Sequence, residues 1–471
     1  MNFIFYDIVL LILFVIFVLI FLYKKKKNIK KEGVLVLYKT KLGIKLIDRI
    51  GKKYKKTLHY LSYVSIGLGY ILMISMMYLI LQSVYLYLTT PIAKIIKAPP
   101  VAPLIPYFPK IFGLESFLPP FYFIYFIISI LIVATVHEFS HGIFAKKHGI
   151  RIKNTGFAFF KFFPAILGAF VEQDEKQMVK AKKFKQMSVL SAGVFANVIT
   201  AILFYVILFL FFTLTFSPAG IVFNSYSYSA VDVSKISSVN GNLLDNSNYS
   251  QILEFSDDNE LNNITADGIN YVVTKANLLK QKNNSGIIIL YHDAPAIKFK
   301  IGEIITKING VEITSTEIIK EELQKYSPSD KITVESLIDG KPVEKEIVLE
   351  KNPNNPDNAW LGIVFFENQK TGTGKILSII PPYKEEHVYY EASEASIFVK
   401  DLLWWIVLIN FLVALFNMLP LGILDGGRFF YLTIWGATKS EKTAKKMFLY
   451  ATYFLLLLLV VLMIKWLFNF L

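Results

Sequence analysis

The chain of 471 residues contains no cysteine. That absence excludes disulfides, thiolate metal sites and a thiol nucleophile at once, so any metal must be held by histidine and carboxylates. Histidine is itself scarce, at six residues. Charge is thin as well: 18% of residues are charged against 54% hydrophobic, and the mean hydropathy is +0.47. Those values exceed ordinary globular ones and read as an integral membrane protein. A net charge of +14 invites a nucleic-acid reading. The lysines, however, sit in short loops beside apolar runs, which is the placement membrane topology demands. No nucleic-acid partner is expected.

What is abundant is long apolar runs. Residues 3–22 form the first, followed by Lys24 to Lys27, Lys30 and Lys31. A secretory signal puts its positive charge first and ends at small residues. This run does neither, so a retained anchor with its N-terminus outside is expected. Residues 1–58 then comprise that anchor and a basic cytosolic loop through Lys52, Lys53, Lys55 and Lys56. A second helix, at about 60–88, opens the first half of a membrane core over 59–214. Beyond Thr89 come Pro91, Pro99, Pro100, Pro103, Pro106, Pro109, Pro119 and Pro120, a density that forbids regular helix. An interfacial or partly inserted outer loop is expected there.

The run from Phe121 to Val136 carries no charge and leads into V-A-T-V-H-E-F-S-H-G. Positions i and i+4 share a helix face, so His137 and His141 can offer two imidazole nitrogens to one metal ion. Glu138 stands beside that ion, where a general base for an activated water belongs. A soluble helix can carry H-E-x-x-H by chance on a solvated face. Lipid-like flanks leave no such face, and ionisable groups at this depth mark a functional site. Lys146, Lys147 and Arg151 then put the pair nearer the cytosolic end.

Residues 155–172 are apolar but too short and interrupted to span. They suit either a re-entrant hairpin packed by the metal pair or an interfacial amphipathic loop. After Lys176, Lys180, Lys182, Lys183 and Lys185, a helix is expected at about 187–214. Its patch of Ser191, Ala192, Gly193, Ala196 and Asn197 lets helices approach closely, with Asn197 as interhelical glue. Residues 215–400 are polar and fall outside if the helices alternate. Within them, about 285–350 reads as an α/β module: strands G-I-I-I-L-Y and G-E-I-I-T-K-I, a turn at Asn309-Gly310, a helix opened by Thr314 with Glu317, and a hairpin about Asp339-Gly340. That order resembles a PDZ domain, which binds an extended peptide beside a strand. An upstream echo at 234–243 marks either a second such unit or a recurring strand and turn. Sequons at Asn248, Asn263 and Asn283 permit glycosylation on that side.

The chain turns apolar again over 401–471, beginning with a helix read as running inward to Arg428. Its inner end bears Asn417, Pro420, Asp425, Gly426 and Gly427. Proline permits a kink and the glycines a turn, so Asp425 can point into the bundle at the depth of the histidines. A catalytic zinc typically takes three protein ligands and leaves a fourth position for water. Asp425 is the expected third ligand. A last helix at 447–470 brings the spans to about six. The expected fold class is thus a polytopic α-helical membrane protein with an inserted α/β PDZ-like domain.

H-E-F-S-H in one membrane helix and N-M-L-P-L-G-I-L-D-G in a later one resemble the paired signatures of the site-2 protease family, H-E-x-x-H and N-x-x-P-x-x-x-L-D-G. The likeness covers about 121–214 and 401–430, and an outward PDZ-like insert is also familiar from that family. Its members are intramembrane zinc metalloproteases. The resemblance implies one Zn2+ on His137, His141 and Asp425, Glu138 as catalytic base, and Asn417 near the substrate. It further implies single-pass membrane proteins as substrates, within the bilayer of the cell membrane. The Asn197 helix is similar to the family's G-x-x-x-N segment, although Ala192-Gly193-Val194 stands where many members have Gly-Pro. Two other classes compete: a transporter passing a metal ion along these side chains, and a membrane-anchored PDZ scaffold with a vestigial metal site.

Overall fold

The computed structural model describes residues 3–90, 99–100, 104–165, 167–244, 248–258, 261–281, 286–353, 355–365 and 382–470. Pro91, Pro103 and the sequon Asn283 lie outside them. Two compact units emerge, residues 1–211 with 397–471, and residues 212–396.

The first unit is helical because its sequence is apolar over helix-length runs, and a backbone in hydrocarbon must satisfy its own polar groups. The longer helices are α1 (Phe3–Lys24), α2 (Ile44–Lys53), α3 (Lys55–Thr89), α4 (Phe123–Lys147), α5 (Lys183–Thr215), α6 (Glu394–Asn417), α7 (Asp425–Thr438) and α8 (Glu441–Phe470). Six of them, all but α2 and α7, are long and apolar enough to cross a membrane. The protein is polytopic and helical, with an inserted unit of sheet and helix.

Two expectations are revised. The stretch read as a plain basic loop holds β1 (Ile29–Glu32), β2 (Leu35–Thr40) and α2. Its strands extend the hairpin made by β3 (Ile152–Phe160) and β4 (Leu167–Gln173) into one sheet, ordered β1-β2-β3-β4. The register pairs Tyr38 with Phe157 and Thr155 with Val171. Nor does one helix run from residue 401 to Arg428. It ends at Asn417 and restarts as α7 at Asp425, because Pro420 cannot donate to a continuing helix.

The entry of α4 is fixed from another helix. Its first turn has no side-chain cap of its own. Instead buried Asp7 of α1 accepts hydrogen bonds from the Phe123 and Ile124 amides at 2.6 and 3.0 Å, and from the Tyr107 hydroxyl at 2.6 Å. The two amides are orphan donors at the positive end of the helix, where a carboxylate is favoured. Asp7→Ala should therefore cost about 2 kcal/mol, read as a lower thermal midpoint in detergent, with Asp7→Asn falling between. An unchanged midpoint in the alanine variant would contradict the cap.

Among the described residues the second unit holds two larger sheets and two short two-stranded ones, Glu350–Asn352 with Asn355–Trp360 and Ser225–Tyr226 with Ile363–Val364. The strands of the two larger sheets are β5 (Ser217–Val222), β6 (Tyr228–Asp232), β7 (Ile236–Val239), β8 (Asn242–Leu243), β9 (Leu261–Ala266), β10 (Ile269–Thr274), β11 (Ile287–His292), β12 (Ile304–Ile308), β13 (Val311–Glu312), β14 (Lys331–Ile338), β15 (Lys341–Val348) and β16 (Val388–Glu391). One of these two runs β6-β11-β10-β9-β7-β8, and the second β15-β14-β12-β5-β16 with β13 beside β12. The strand G-I-I-I-L-Y, read from sequence as part of the PDZ-like module, is β11 and pairs in the first sheet. In the second sheet the strand beside β12 is instead β5, from far upstream. The helix Thr316–Leu323 is capped by Ser315, whose hydroxyl accepts from the Ile318 amide, rather than by Thr314. The echoed segments prove to be equivalent hairpins, each turning at Asn-Gly with both residues at positive φ.

Candidate metal centre

Spacing on α4 brings the two imidazoles together: His137 and His141 are both buried, with Nε2 atoms 3.0 Å apart. The chain break before α7 supplies the third group. Asp425 opens that helix, and its Oδ2 lies 3.2 Å from each Nε2. The turn is tight enough that a Cβ on Gly426 would run into the backbone of Met418 and Leu419. Glycine there is what lets the chain fold back and present Asp425.

Three donor atoms 3.0 to 3.2 Å apart suit one ion. A tetrahedral zinc with bonds of about 2.0 Å places its ligands roughly 3.3 Å from each other. Two neutral imidazoles and a carboxylate are also a donor set that zinc accepts. The residues present fit the metal.

α5 supports the pair from the other side, through positions about two turns apart. The Val189 carbonyl is 2.7 Å from His141 Nδ1, and the Asn197 amide is 3.1 Å from His137 Nδ1. Between them stands Gly193, where a Cβ would come within 2.5 Å of His141 Nε2 and 2.7 Å of His137 Nε2. Glu138 adjoins the three without joining them so closely: its Oε2 accepts from the Val171 amide of β4 at 3.0 Å. A cavity of about 530 Å³ is lined by His137, Glu138, His141, Asp425 and Asn417, with Leu167, Gly168 and Ala169 of β4 and the apolar Ile130, Val133 and Val413.

The profile described as Peptidase family M50 matches residues 125–460, more than two thirds of the chain. The chain belongs to peptidase family M50. An uncharacterized protein of Methanocaldococcus jannaschii is 25% identical to this M50 chain over 424 residues, covering 89% of it and 83% of the relative. Two solved structures match locally. The PDZ domain of an SdrC-like protein from Listeria monocytogenes is 20% identical, with a TM-score of 0.14, and covers 15% of this chain and 76% of its own. That of the Listeria innocua SdrC-like protein is 20% identical, with a TM-score of 0.15, over 16% of this chain and 86% of its own.

Of the residues singled out from the M50 chain's sequence, His137, His141, Asp425, Glu138 and Asn417 all border one cavity. Asn197 does more than glue helices, since its amide meets a histidine of the centre. The spacing of Gly193 and Asn197 was the legible signal for it. The Val189 carbonyl and Val171 amide had none, because backbone groups leave no trace in residue type.

Proposed function

We propose that this M50 chain is a zinc-dependent endopeptidase that cleaves membrane-spanning segments of single-pass membrane proteins. The observation that carries this reading is the triad of donor atoms on His137, His141 and Asp425, with the Glu138 carboxylate adjoining it in the same cavity. Zinc held there supplies Lewis acidity toward water and a peptide carbonyl. The protein does the rest.

Glu138 is the general base. One oxygen is tied to Val171, which leaves Oε1 to take a proton from the attacking water and return it to the leaving amine. Asn417 steadies the oxyanion or the adjacent substrate backbone. A helical substrate must also unwind to expose its amide. β4 is the end strand of its sheet, and Leu167, Gly168 and Ala169 line the cavity. Substrate pairing there as an added strand would trade its internal hydrogen bonds for intermolecular ones. We place the N-terminus and the second unit outside and the metal centre nearer the cytosol, because Lys146, Lys147, Lys182, Lys183 and Lys185 flank that end. In the outer unit the PDZ-like module offers a site for a peptide.

The test uses the purified chain in vesicles with a membrane-spanning substrate. Cleavage should appear, vanish on chelation with 1,10-phenanthroline, and return with added zinc. Zinc flux across sealed vesicles without any cleavage would replace this reading with a transporter. An intact substrate and no flux, with zinc bound, would leave the scaffold.

A further inference from the structure

We infer that Asn197 is a positioning residue for His137: its amide oxygen accepts a hydrogen bond from His137 Nδ1–H and so holds the imidazole in the tautomer whose Nε2 is free for a metal. The inference rests on the metal centre proposed above. A neutral imidazole carries one proton, and a metal on Nε2 confines that proton to Nδ1. His141 already obeys this rule, with Nδ1 set to donate to the Val189 carbonyl at 2.7 Å.

For His137 the facing group is the fully buried Asn197 side chain, whose Nδ2 is placed 3.1 Å from Nδ1. The two ends of a side-chain amide are nearly the same size, so the hydrogen-bond network decides which is which. With nitrogen toward His137, a metal on Nε2 would set donor against donor. With oxygen toward it, a bond forms. Nothing on the far side opposes that turn: the opposite amide end, Oδ1, is buried without a hydrogen-bond partner among the described residues. His137 alone therefore fixes the amide, and the metal fixes His137. Val189, Gly193 and Asn197 recur at four-residue steps on one face of α5, giving an acceptor, a clearance and, with the amide turned, a second acceptor. One helix thereby orients both imidazoles.

Zinc affinity would be measured by chelator competition on the full chain in detergent for wild type, Asn197→Leu and Asn197→Asp. The absorption spectrum of the cobalt-substituted protein and the thermal midpoint of the metal-stripped protein would accompany it. Removing an outer partner of this kind typically costs 10- to 100-fold in affinity, roughly the loss expected for Asn197→Leu. Its cobalt bands should also shift. Asn197→Asp, which keeps an acceptor, should bind zinc close to wild type. A purely structural role would instead lower the metal-free midpoint of both variants and spare affinity. Wild-type affinity in Asn197→Leu, or an aspartate variant as weak as the leucine one, overturns the inference and leaves the metal centre standing. A wild-type chain that takes up no zinc overturns the centre itself, and this inference with it.

Discussion

Glu138→Gln is expected to keep zinc at wild-type affinity and to lose cleavage of a membrane-spanning substrate by about 10³-fold or more. The substitution is nearly isosteric, and the glutamine oxygen can still accept from the Val171 amide that holds the side chain in place. What it cannot do is carry a proton from water to the leaving nitrogen. Geometry also permits a rival assignment. His137, Glu138 and His141 each offer a donor atom within 4.8 Å of the others, which would make Glu138 a ligand and free Asp425 to act as base. The tighter set is the one with Asp425, at 3.2 Å from both imidazoles. A Glu138 oxygen bonded to β4 is also already committed. Asp425→Asn should therefore weaken zinc by more than the roughly 10- to 100-fold that loss of an outer partner costs. Should Glu138→Gln weaken zinc and Asp425→Asn spare it, the two roles exchange.

What could be read from the residues follows from which interactions are local. Four-residue spacing puts His137 and His141 on one face whatever the helix packs against, so that pair needed no structure. The apolar runs likewise announce their helices. Pairing between distant strands leaves a weaker trace. Lys30, Lys31 and Glu32 look like a charged loop, yet they form an edge strand whose place is set by β2 against Phe157 and Phe159 far along the chain. The strand Ile287–His292 was visible as a strand, but its neighbours were not, and it lies in a different sheet from the one its sequence neighbours suggest. Pro420 announced an interruption without saying whether the helix bends or stops. It stops, and that is what turns Asp425 into the first residue of a new helix facing the histidines.

Gly193→Ala is the more severe test of the centre's architecture, because it adds a single methyl group. That methyl would sit 2.5 Å from His141 Nε2, 2.6 Å from His137 Cε1 and 2.7 Å from His137 Nε2. Carbon does not approach nitrogen so closely, so something must move. The imidazoles cannot simply step back, since the same helix that carries the methyl also holds them through Val189 and Asn197. Either α5 recedes and both outer contacts stretch, or the rings rotate and the Nε2 atoms diverge. A displacement of about 1 Å at a reacting group costs on the order of 10²-fold in rate, and zinc affinity should fall with it. Gly67 of α3 provides the control, because a Cβ there meets nothing within 4 Å. Gly67→Ala should leave zinc binding and turnover unchanged, and gain up to about 1 kcal/mol of helix propensity. Zinc content and cleavage measured on both variants separate the cases. Full zinc and full turnover in Gly193→Ala would mean that α5 does not press against the histidines, and the centre as described would have to be abandoned.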